Sequence, residues 1–536
     1  MTAVAALPTR RATGPRQLAG TLPLFRLALR RDRVVLPLWA LVVGGMVAGG
    51  AGSLETLYDT AAKRAELAAS MTGNSSLRSL YGPVFGDSVG GLVAWRFGTF
   101  SATLAAVMSL IIVVRHTREE EETGRQELLS SAMVGRRAPL TAALLTALVA
   151  NAAVALIITA GLAGQGTGGA LALGLAVGGT GMVFATMAAS IAQITESARL
   201  AKGATAAVLG LAFVLRAAGD AGTADGRSPL TWLSPVGWAE QVRAYAHERW
   251  WVLALIAAAV AVQAAVAYEL TGRRDIGMSF LPARPGPAVG RLATAGGLAL
   301  RLQRGSLIGW TLGFLVAGVV FGGMVEGAAD LVGDNEQARE IFERMGGRSA
   351  LTDAFLATMV GLFGMVAALY VVASVLRLHG EETSQRAEPV LANAVGRLRW
   401  AAGHLVIAFG GAVLIMTTAG LGLWLSYGKD LGPILGACLV QLPAIWTLGG
   451  IAVLLHGACP KAAVAAWGAA GLALLLGWIG PVLNLPQAVL DVSPFGHLPK
   501  LPGTGMEWAP VGVLVGVAVL LVVAGLVGLR HRDIRT

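Results

Sequence analysis

The stretch RHTREEEETGRQELLSSAMVGRR runs from Arg115 to Arg137 and lies between two long apolar segments. It contains four consecutive glutamates, in a chain of 536 residues of which 55% are hydrophobic and only 13% are charged. A soluble globular domain has about 25% charged residues. The composition therefore indicates an integral membrane protein, and the acidic stretch marks a point where the chain leaves the membrane.

Long apolar runs recur along the rest of the chain, each near the roughly 20 residues that a membrane-spanning helix needs. The runs are continuous and do not alternate, which favours helices over a transmembrane β-barrel. No cleavable signal precedes the first run, so we expect it to stay as an anchor. The sequence predicts an all-α, polytopic membrane protein with twelve transmembrane helices, at approximately 34–52, 97–114, 140–162, 169–192, 203–219, 250–269, 305–323, 354–376, 401–426, 432–456, 462–483 and 509–529.

Basic residues collect before span one, between spans six and seven, and after span twelve. An even number of spans separates these three segments, so the positive-inside rule places them all in the cytoplasm. We therefore expect a multi-pass plasma-membrane protein with both termini cytoplasmic. This distribution explains the net charge of +10, and no nucleic-acid partner is predicted. Cys438 and Cys459 make neither a disulfide framework nor a metal site.

The chain also contains a tandem repeat. Four blocks match in the same order: 27–39 with 298–310, 71–77 with 345–351, 121–136 with 381–397, and 233–238 with 492–497. Duplication of a six-span unit gives two halves of the same orientation, which is a parallel repeat. We predict a first transmembrane half at 1–270, a cytoplasmic linker at 271–297 and a second half at 298–536. Basic, partly apolar stretches at 16–33 and 286–304 predict an interfacial elbow helix for each half.

The acidic stretch has the same pattern in both halves. In the first copy we expect a helix break at Thr123–Gly124 and a short helix at about 126–134. In the second we expect a break at Thr383–Ser384 and a helix from Glu388–Pro389 to Gly396. Two matched copies favour a helix that docks on a cytoplasmic partner. The alternative is a solvated loop whose charges keep it out of the lipid.

The sequence EETGRQELLSSAMVGR (121–136) resembles the cytoplasmic motif of ABC-type exporter permeases of the type 2 class. The fused twelve-span arrangement resembles the actinobacterial exporters of polyketide antibiotics or multiple drugs. The resemblance implies two copies of a separate ABC-type ATP-binding subunit, which would bind ATP and Mg²⁺, and no cofactor in this chain. It also implies coupling helices at Glu119, Glu120, Glu121, Glu122, Arg125 and Glu127, and at Glu381, Glu382, Arg386 and Glu388. The second copy has fewer acids and no Gly before its Arg, so we expect unequal contacts.

The chain has no G-x-x-x-x-G-K-[ST] phosphate loop, so we predict no nucleotide site and no catalytic residue of its own. The rival interpretation is an ion-driven secondary transporter of the major facilitator kind. Such a transporter needs ionisable groups inside the membrane. We expect almost none there, with Asn151, Gln263, His404 and His456 as the nearest candidates. The hypothesis is an ATP-driven exporter of a small lipophilic or amphipathic compound, in contact with membrane lipid.

Overall fold

A computed structural model describes residues 17–73, 75–130, 134–223, 225–275, 278–280, 294–325, 347–478 and 486–532, without the side chains of residues 76, 128–130, 347–351 and 478. All regular secondary structure in these ranges is helical. Twelve helices within them are long and apolar enough to cross a membrane, which confirms the all-α, polytopic class. The chain divides into two compact units, residues 1–285 and 286–536. That boundary falls inside the predicted linker, much of which lies outside the described residues, so the three-part division stays a prediction.

In the first unit, spans two and four are the most deeply buried helices. Span two begins eight residues earlier than predicted, because the Ser88 side chain caps it by accepting from the Gly91 amide at 3.0 Å. Spans one to six of this unit are Val35–Leu57, Val89–His116, Ala138–Gly161, Thr167–Ile194, Ala198–Gly222 and Trp250–Arg273. Shorter helices are Thr21–Arg31, Ala61–Gly73, Ser75–Tyr81, Arg118–Glu122, Arg125–Ser130, Ala163–Gln165, Pro229–Leu233 and Pro235–Gln241.

In the second unit, span ten consists of two helices with a break at Gln441, where Pro443 removes a backbone donor from the first turn of the second helix. Spans seven to twelve are Ala295–Gly322, Gly347–Thr383, Arg397–Tyr427, Leu431–Val440 with Leu442–Ala458, Pro460–Ala465 with Ala466–Trp478, and Trp508–His531. Shorter helices are Glu388–Leu391, Gln487–Leu490 and Pro494–His497.

An elbow helix exists as a separate element in the first unit. Helix Thr21–Arg31 ends at Asp32, whose side chain is 1% exposed. The Asp32 carboxylate binds Arg115 at 2.8 Å and His116 at 2.6 Å, both at the end of span two. The buried aspartate therefore fixes the turn between the elbow helix and span one, and joins that turn to span two.

The matching elbow prediction does not hold for residues 295–304 of the second unit. These residues are the first turns of span seven, and residues 286–293 lie outside the described ranges. Gln303 stands at the position that aligns with Asp32, and Gln is a better helix former than Asp. Its amide group contacts His404 Nδ1 at 2.9 Å and also bonds to Ser374. In the second unit, one continuous helix therefore stands where the first unit has an elbow helix, a turn and span one.

Spans seven and nine approach each other through glycines. A Cβ atom at Gly422 would lie 2.4 Å from the Leu315 carbonyl oxygen and 3.0 Å from Gly318 Cα. We expect Gly422→Ala to push the helices apart and lower the free energy of unfolding by about 1–3 kcal/mol. The midpoint of SDS-induced unfolding measures this. Gly410→Ala on the same helix is the matched control, because a Cβ there meets no atom within 4 Å. Equal midpoints for the two variants would contradict the close approach.

Candidate functional site

The first acidic segment, residues 118–130, follows directly from the end of span two. Thr117 interrupts the helix with φ −121° and ψ −84°, and a short helix Arg118–Glu122 carries the four glutamates. A turn at Thr123–Gly124 follows, with Gly124 at φ 71°, which confirms the predicted break. The next helix is described over Arg125–Ser130 and overlaps the predicted helix 126–134. Residues 131–133 of that prediction lie outside the described ranges.

Two of the four glutamates bind cations from other helices of the same unit. Glu119 pairs with Lys202, which lies on span five. Glu120 pairs with Arg31 at the end of the elbow helix, and with Arg125 at 3.4 Å. These pairs tie the first acidic segment to the elbow helix and to span five.

The other two glutamates are also bound within the chain. The Glu121 side chain is 7% exposed and pairs with both Arg118 and Arg274. Glu122 Oε1 accepts from the Ala198 amide at 2.8 Å. Ala198 is the first residue of span five, where the helix dipole favours a negative charge. All four predicted acids thus hold the segment in place.

The second acidic segment, residues 381–391, begins on span eight. That helix runs without interruption to Thr383, so the break predicted at Thr383–Ser384 is confirmed. A helix with Pro389 in its first turn covers only Glu388–Leu391, and its predicted extension to Gly396 is wrong. Asn393 donates to the Pro389 carbonyl oxygen at 2.6 Å, a local bond that competes with continued helix.

The acids of the second segment are bound in a similar way. Glu381 pairs with Arg377 at 2.9 Å, one turn earlier on span eight. Glu382 is 6% exposed and accepts two bonds from Arg532, at 2.5 and 2.6 Å. Arg386 and Glu388 are exposed. This segment has fewer acids than the first, and fewer cations bind them. The two segments are therefore held in place by different numbers of ion pairs.

A buried glutamate–arginine pair recurs in both units, and we call it the clasp. Arg274 is the residue directly after span six, and Arg532 is the residue directly after span twelve. Each binds a glutamate of its own unit's acidic segment, Glu121 or Glu382. The glutamates differ by one position in the sequence alignment, because span two stops at His116 whereas span eight continues. In each unit the clasp joins the acidic segment to the last span.

A second charged group lies at the opposite end of the first unit, near the end of span five. The side chains of Arg216 and Asp220 are fully buried, and that of Glu240 is 8% exposed. Arg216 Nη1 lies 2.9 Å from Glu240 Oε1 and 3.4 Å from Asp220 Oδ2. We call these three residues the far-end cluster. It contradicts the expectation that the spans hold almost no ionisable groups, since Arg216 lies inside predicted span 203–219.

The sequence is similar to a known membrane permease over almost its whole length. A family model described as "Multidrug efflux system permease Rv1217c, C-terminal domain" matches residues 292–530. The chain is also similar to the multidrug efflux system permease protein Rv1217c of Mycobacterium tuberculosis. The two are 43% identical over 528 residues, which cover 96% of this chain and 95% of the relative. The chain belongs to this family of multidrug efflux system permeases. The major facilitator alternative is therefore not favoured.

In this efflux permease, the polar side chains considered for an ion relay have bonding partners inside their own units. The contacts are Asn151 Nδ2 to Ser109 Oγ at 2.8 Å, Thr186 Oγ1 to Gln263 Oε1 at 2.8 Å, Gln303 Nε2 to His404 Nδ1 at 2.9 Å, and His456 Nε2 to Glu382 Oε2 at 3.6 Å. Each contact joins two different spans. These side chains therefore hold neighbouring helices together.

Proposed function

We propose that this multidrug efflux permease is the membrane-spanning subunit of an ATP-driven, ABC-type exporter. It moves a lipophilic or amphipathic compound, such as an antibiotic or drug, out of the cell. Two copies of a separate ATP-binding subunit, with ATP and Mg²⁺, supply the energy and dock on the two acidic segments. Both termini and both segments face the cytoplasm, which the distribution of basic residues supports.

The observation that carries this proposal is the clasp in each unit. A docked subunit that pushes on an acidic segment needs a stiff connection from that segment to the membrane-spanning helices. The clasp supplies it, because the side chains of Glu121 and Glu382 are buried and bind the arginine that directly follows the last span of their unit. Charged hydrogen bonds of this kind are short and about twice as strong as neutral ones. Movement of the acidic segment is thus passed to span six or span twelve.

The surface offered to the ATP-binding subunit differs from the sequence expectation. The glutamates Glu119 to Glu122 bind groups of this chain, so they position the acidic segment. The exposed members of the predicted set are better placed for direct contact with a partner. They are Glu122, Arg125 and Glu127 in the first segment, with one oxygen of Glu122 already bound to the Ala198 amide, and Arg386 and Glu388 in the second.

Arg125→Ala tests this docking surface. The Arg125 side chain is 56% exposed, and its 3.4 Å pair with Glu120 is a surface pair worth under about 1 kcal/mol. We expect unchanged unfolding but at least a roughly tenfold weaker affinity for the ATP-binding subunit, as for an interface arginine. Co-purification and titration of the subunit measure this. Arg227→Ala is the control, because Arg227 is 80% exposed at the opposite end of the unit.

Two results would count against the proposal. If Arg125→Ala and Arg227→Ala bound the subunit equally well, the first acidic segment would not be the docking site. If the purified chain alone transported a drug under a proton gradient, with no ATP-binding subunit present, the ion-driven alternative would replace the ATP-driven one.

A further inference from the structure

A cavity of about 260 Å³ lies at the corner between the elbow helix, the first acidic segment and the start of span three. The elbow helix lines it with one face, whose members recur at the helical spacing of three and four residues. They are Leu24, Leu27, Ala28 and Arg31. Span three lines it in the same way, with Pro139, Ala142 and Ala143. These two walls are therefore apolar, with an arginine at one end.

Backbone hydrogen bonds hold the two walls together. The chain that precedes the elbow helix accepts two bonds from the chain that precedes span three. The Gly135 amide donates to the Ala19 carbonyl oxygen at 2.8 Å, and the Arg137 amide donates to that of Gln17 at 3.0 Å. Because both walls are tied in this way, the cavity is a fixed feature of the first unit.

Two arginines in the cavity wall share one acid. Arg31 and Arg125 both pair with Oε1 of Glu120, with Arg125 at 3.4 Å. The two arginine side chains are 36% and 56% exposed, against 18% for Glu120, so both guanidinium groups are accessible to a ligand. A guanidinium is always charged in a protein. One positive charge is therefore left without a matching acid, and protonation of Glu120 would only increase this excess.

The neighbouring charges do not cancel this excess. Among the described residues of the wall, the remaining titratable group is His116, whose Nε2 lies 2.6 Å from Asp32. Asp32 also binds Arg115 at 2.8 Å, which already balances its charge, so protonation of His116 would add to the positive charge. The other glutamates of the first acidic segment lie outside the wall, and they are Glu119, Glu121, Glu122 and Glu127.

The surface of the elbow helix suits the boundary between membrane and water. The Leu22 and Leu27 side chains are 54% and 57% exposed, and Arg26 and Arg30 are exposed on the same helix. Exposed leucines and arginines on one helix fit the level of the lipid headgroups, where leucine meets acyl chains and arginine meets phosphate. Leu27 and Arg125 are exposed members of the cavity wall, so the cavity is open to that layer.

We propose that this cavity binds an anionic phospholipid, with the phosphate on Arg31 and Arg125 and the start of one acyl chain along Leu24 and Ala142. Arginine binds a phosphate through two parallel N–H donors. The volume of about 260 Å³ lies just below the roughly 300–1,000 Å³ of ordinary ligand pockets, so the cavity takes the headgroup side of the lipid and leaves the rest in the membrane. The bound lipid joins the elbow helix to the acidic segment. This inference goes beyond the proposed function, since the site needs neither ATP nor a partner subunit.

Titration of a fluorescent lipid into the purified full-length chain tests the proposal. The probe is phosphatidylglycerol with a nitrobenzoxadiazole label on one acyl chain, and the protein is kept in dodecyl maltoside, an uncharged detergent. Phosphatidylcholine with the same label has the same chains and a phosphate but no net charge, and is expected to bind at least fivefold more weakly. Glycerol 3-phosphate has the phosphate without the chains. It should fail to displace the labelled lipid, because the apolar walls also hold the acyl chain.

Single substitutions in the wall test the role of charge. Arg31→Gln should weaken phosphatidylglycerol binding about fivefold, the usual effect of one arginine on an anionic lipid. Glu120→Gln should strengthen binding by a similar factor, because it releases both arginines from their shared acid. Arg30→Gln is the matched control, since it removes the same charge from the neighbouring residue outside the wall, and it should change binding less than twofold. Arg125 is left unchanged, because it also belongs to the proposed docking surface.

The opposite changes expected for Arg31→Gln and Glu120→Gln separate charge recognition from a structural role. If the pair only maintained the shape of the cavity, both substitutions would weaken binding, and the proposal would be overturned. Equal binding of the two labelled lipids, or an Arg30→Gln variant as weak as Arg31→Gln, would also overturn it. Displacement by glycerol 3-phosphate would show that the cavity takes a free phosphate compound and no lipid. SDS-induced unfolding of every variant confirms that it is folded.

Discussion

Arg532→Glu is expected to abolish most drug transport by the permease and to destabilise its second unit. The substitution places a second carboxylate against Glu382, which is 6% exposed. Breaking a buried ion pair by removing one partner costs about 3–5 kcal/mol, because a buried charge is left without compensation. The midpoint of SDS-induced unfolding should fall accordingly. Uptake of a fluorescent drug into inverted vesicles that contain the proposed ATP-binding subunit should fall at least tenfold.

Two further variants make this result specific to the clasp. Arg530→Glu changes an exposed residue two positions earlier, and is expected to leave both unfolding and transport nearly unchanged. The exchanged pair Glu382→Arg with Arg532→Glu restores opposite charges and should recover part of the lost stability. If Arg530→Glu were as harmful as Arg532→Glu, the effect would come from surface charge and the clasp would have no special role.

Arg216→Met is expected to be the most damaging single substitution in the first unit. Methionine fills most of the space of the apolar part of the arginine side chain. The substitution nevertheless leaves Asp220 and Glu240 buried without their shared cation. Loss of one partner from such a cluster costs about 3–5 kcal/mol. We expect the chain to be recovered in low yield and to unfold at a clearly lower SDS concentration than the parent.

Neutralising the two acids should reverse this loss. Replacement of a whole buried ionic cluster by uncharged groups is often neutral or stabilising. Arg216→Met combined with Asp220→Asn and Glu240→Gln is therefore expected to unfold near the parent midpoint. Arg227→Met, at a residue that is 80% exposed, is the control for the loss of an arginine. A triple variant as unstable as Arg216→Met would show that packing of the Arg216 side chain matters more than its charge.

Much of the fold was predictable because membrane insertion depends on local hydrophobicity. Twelve long apolar runs give twelve helices regardless of how those helices pack. Helix ends were harder to predict, since they depend on single caps and turns. The Ser88 cap makes span two begin earlier than predicted. Asp32 ends the elbow helix, whereas Gln303, at the aligned position, lies inside span seven. Residues 326–346, between spans seven and eight, lie outside the described ranges.

The position of the candidate site was predictable, but the partners of its residues were not. The repeated glutamates identified both acidic segments and the breaks within them. Their cations are distant in sequence: Arg274 lies 153 residues from Glu121, and Arg532 lies 150 residues from Glu382. Only helix packing brings them together. Arg216 and Asp220 are four residues apart in an apolar run, a spacing that lets their side chains meet on one face of a helix. The average hydrophobicity of the run concealed this pair.

The internal pairing of the glutamates also bears on how the permease would meet the proposed ATP-binding subunit. An open acidic patch would steer a basic protein over a distance, and salt would slow that encounter by screening the field. Here the negative charges of the glutamates are already paired within the chain, which weakens the field outside it. Their partners are Lys202, Arg31, Arg274 and the amide end of span five. Association with the subunit should consequently change little with ionic strength, and shape should determine the fit more than long-range attraction.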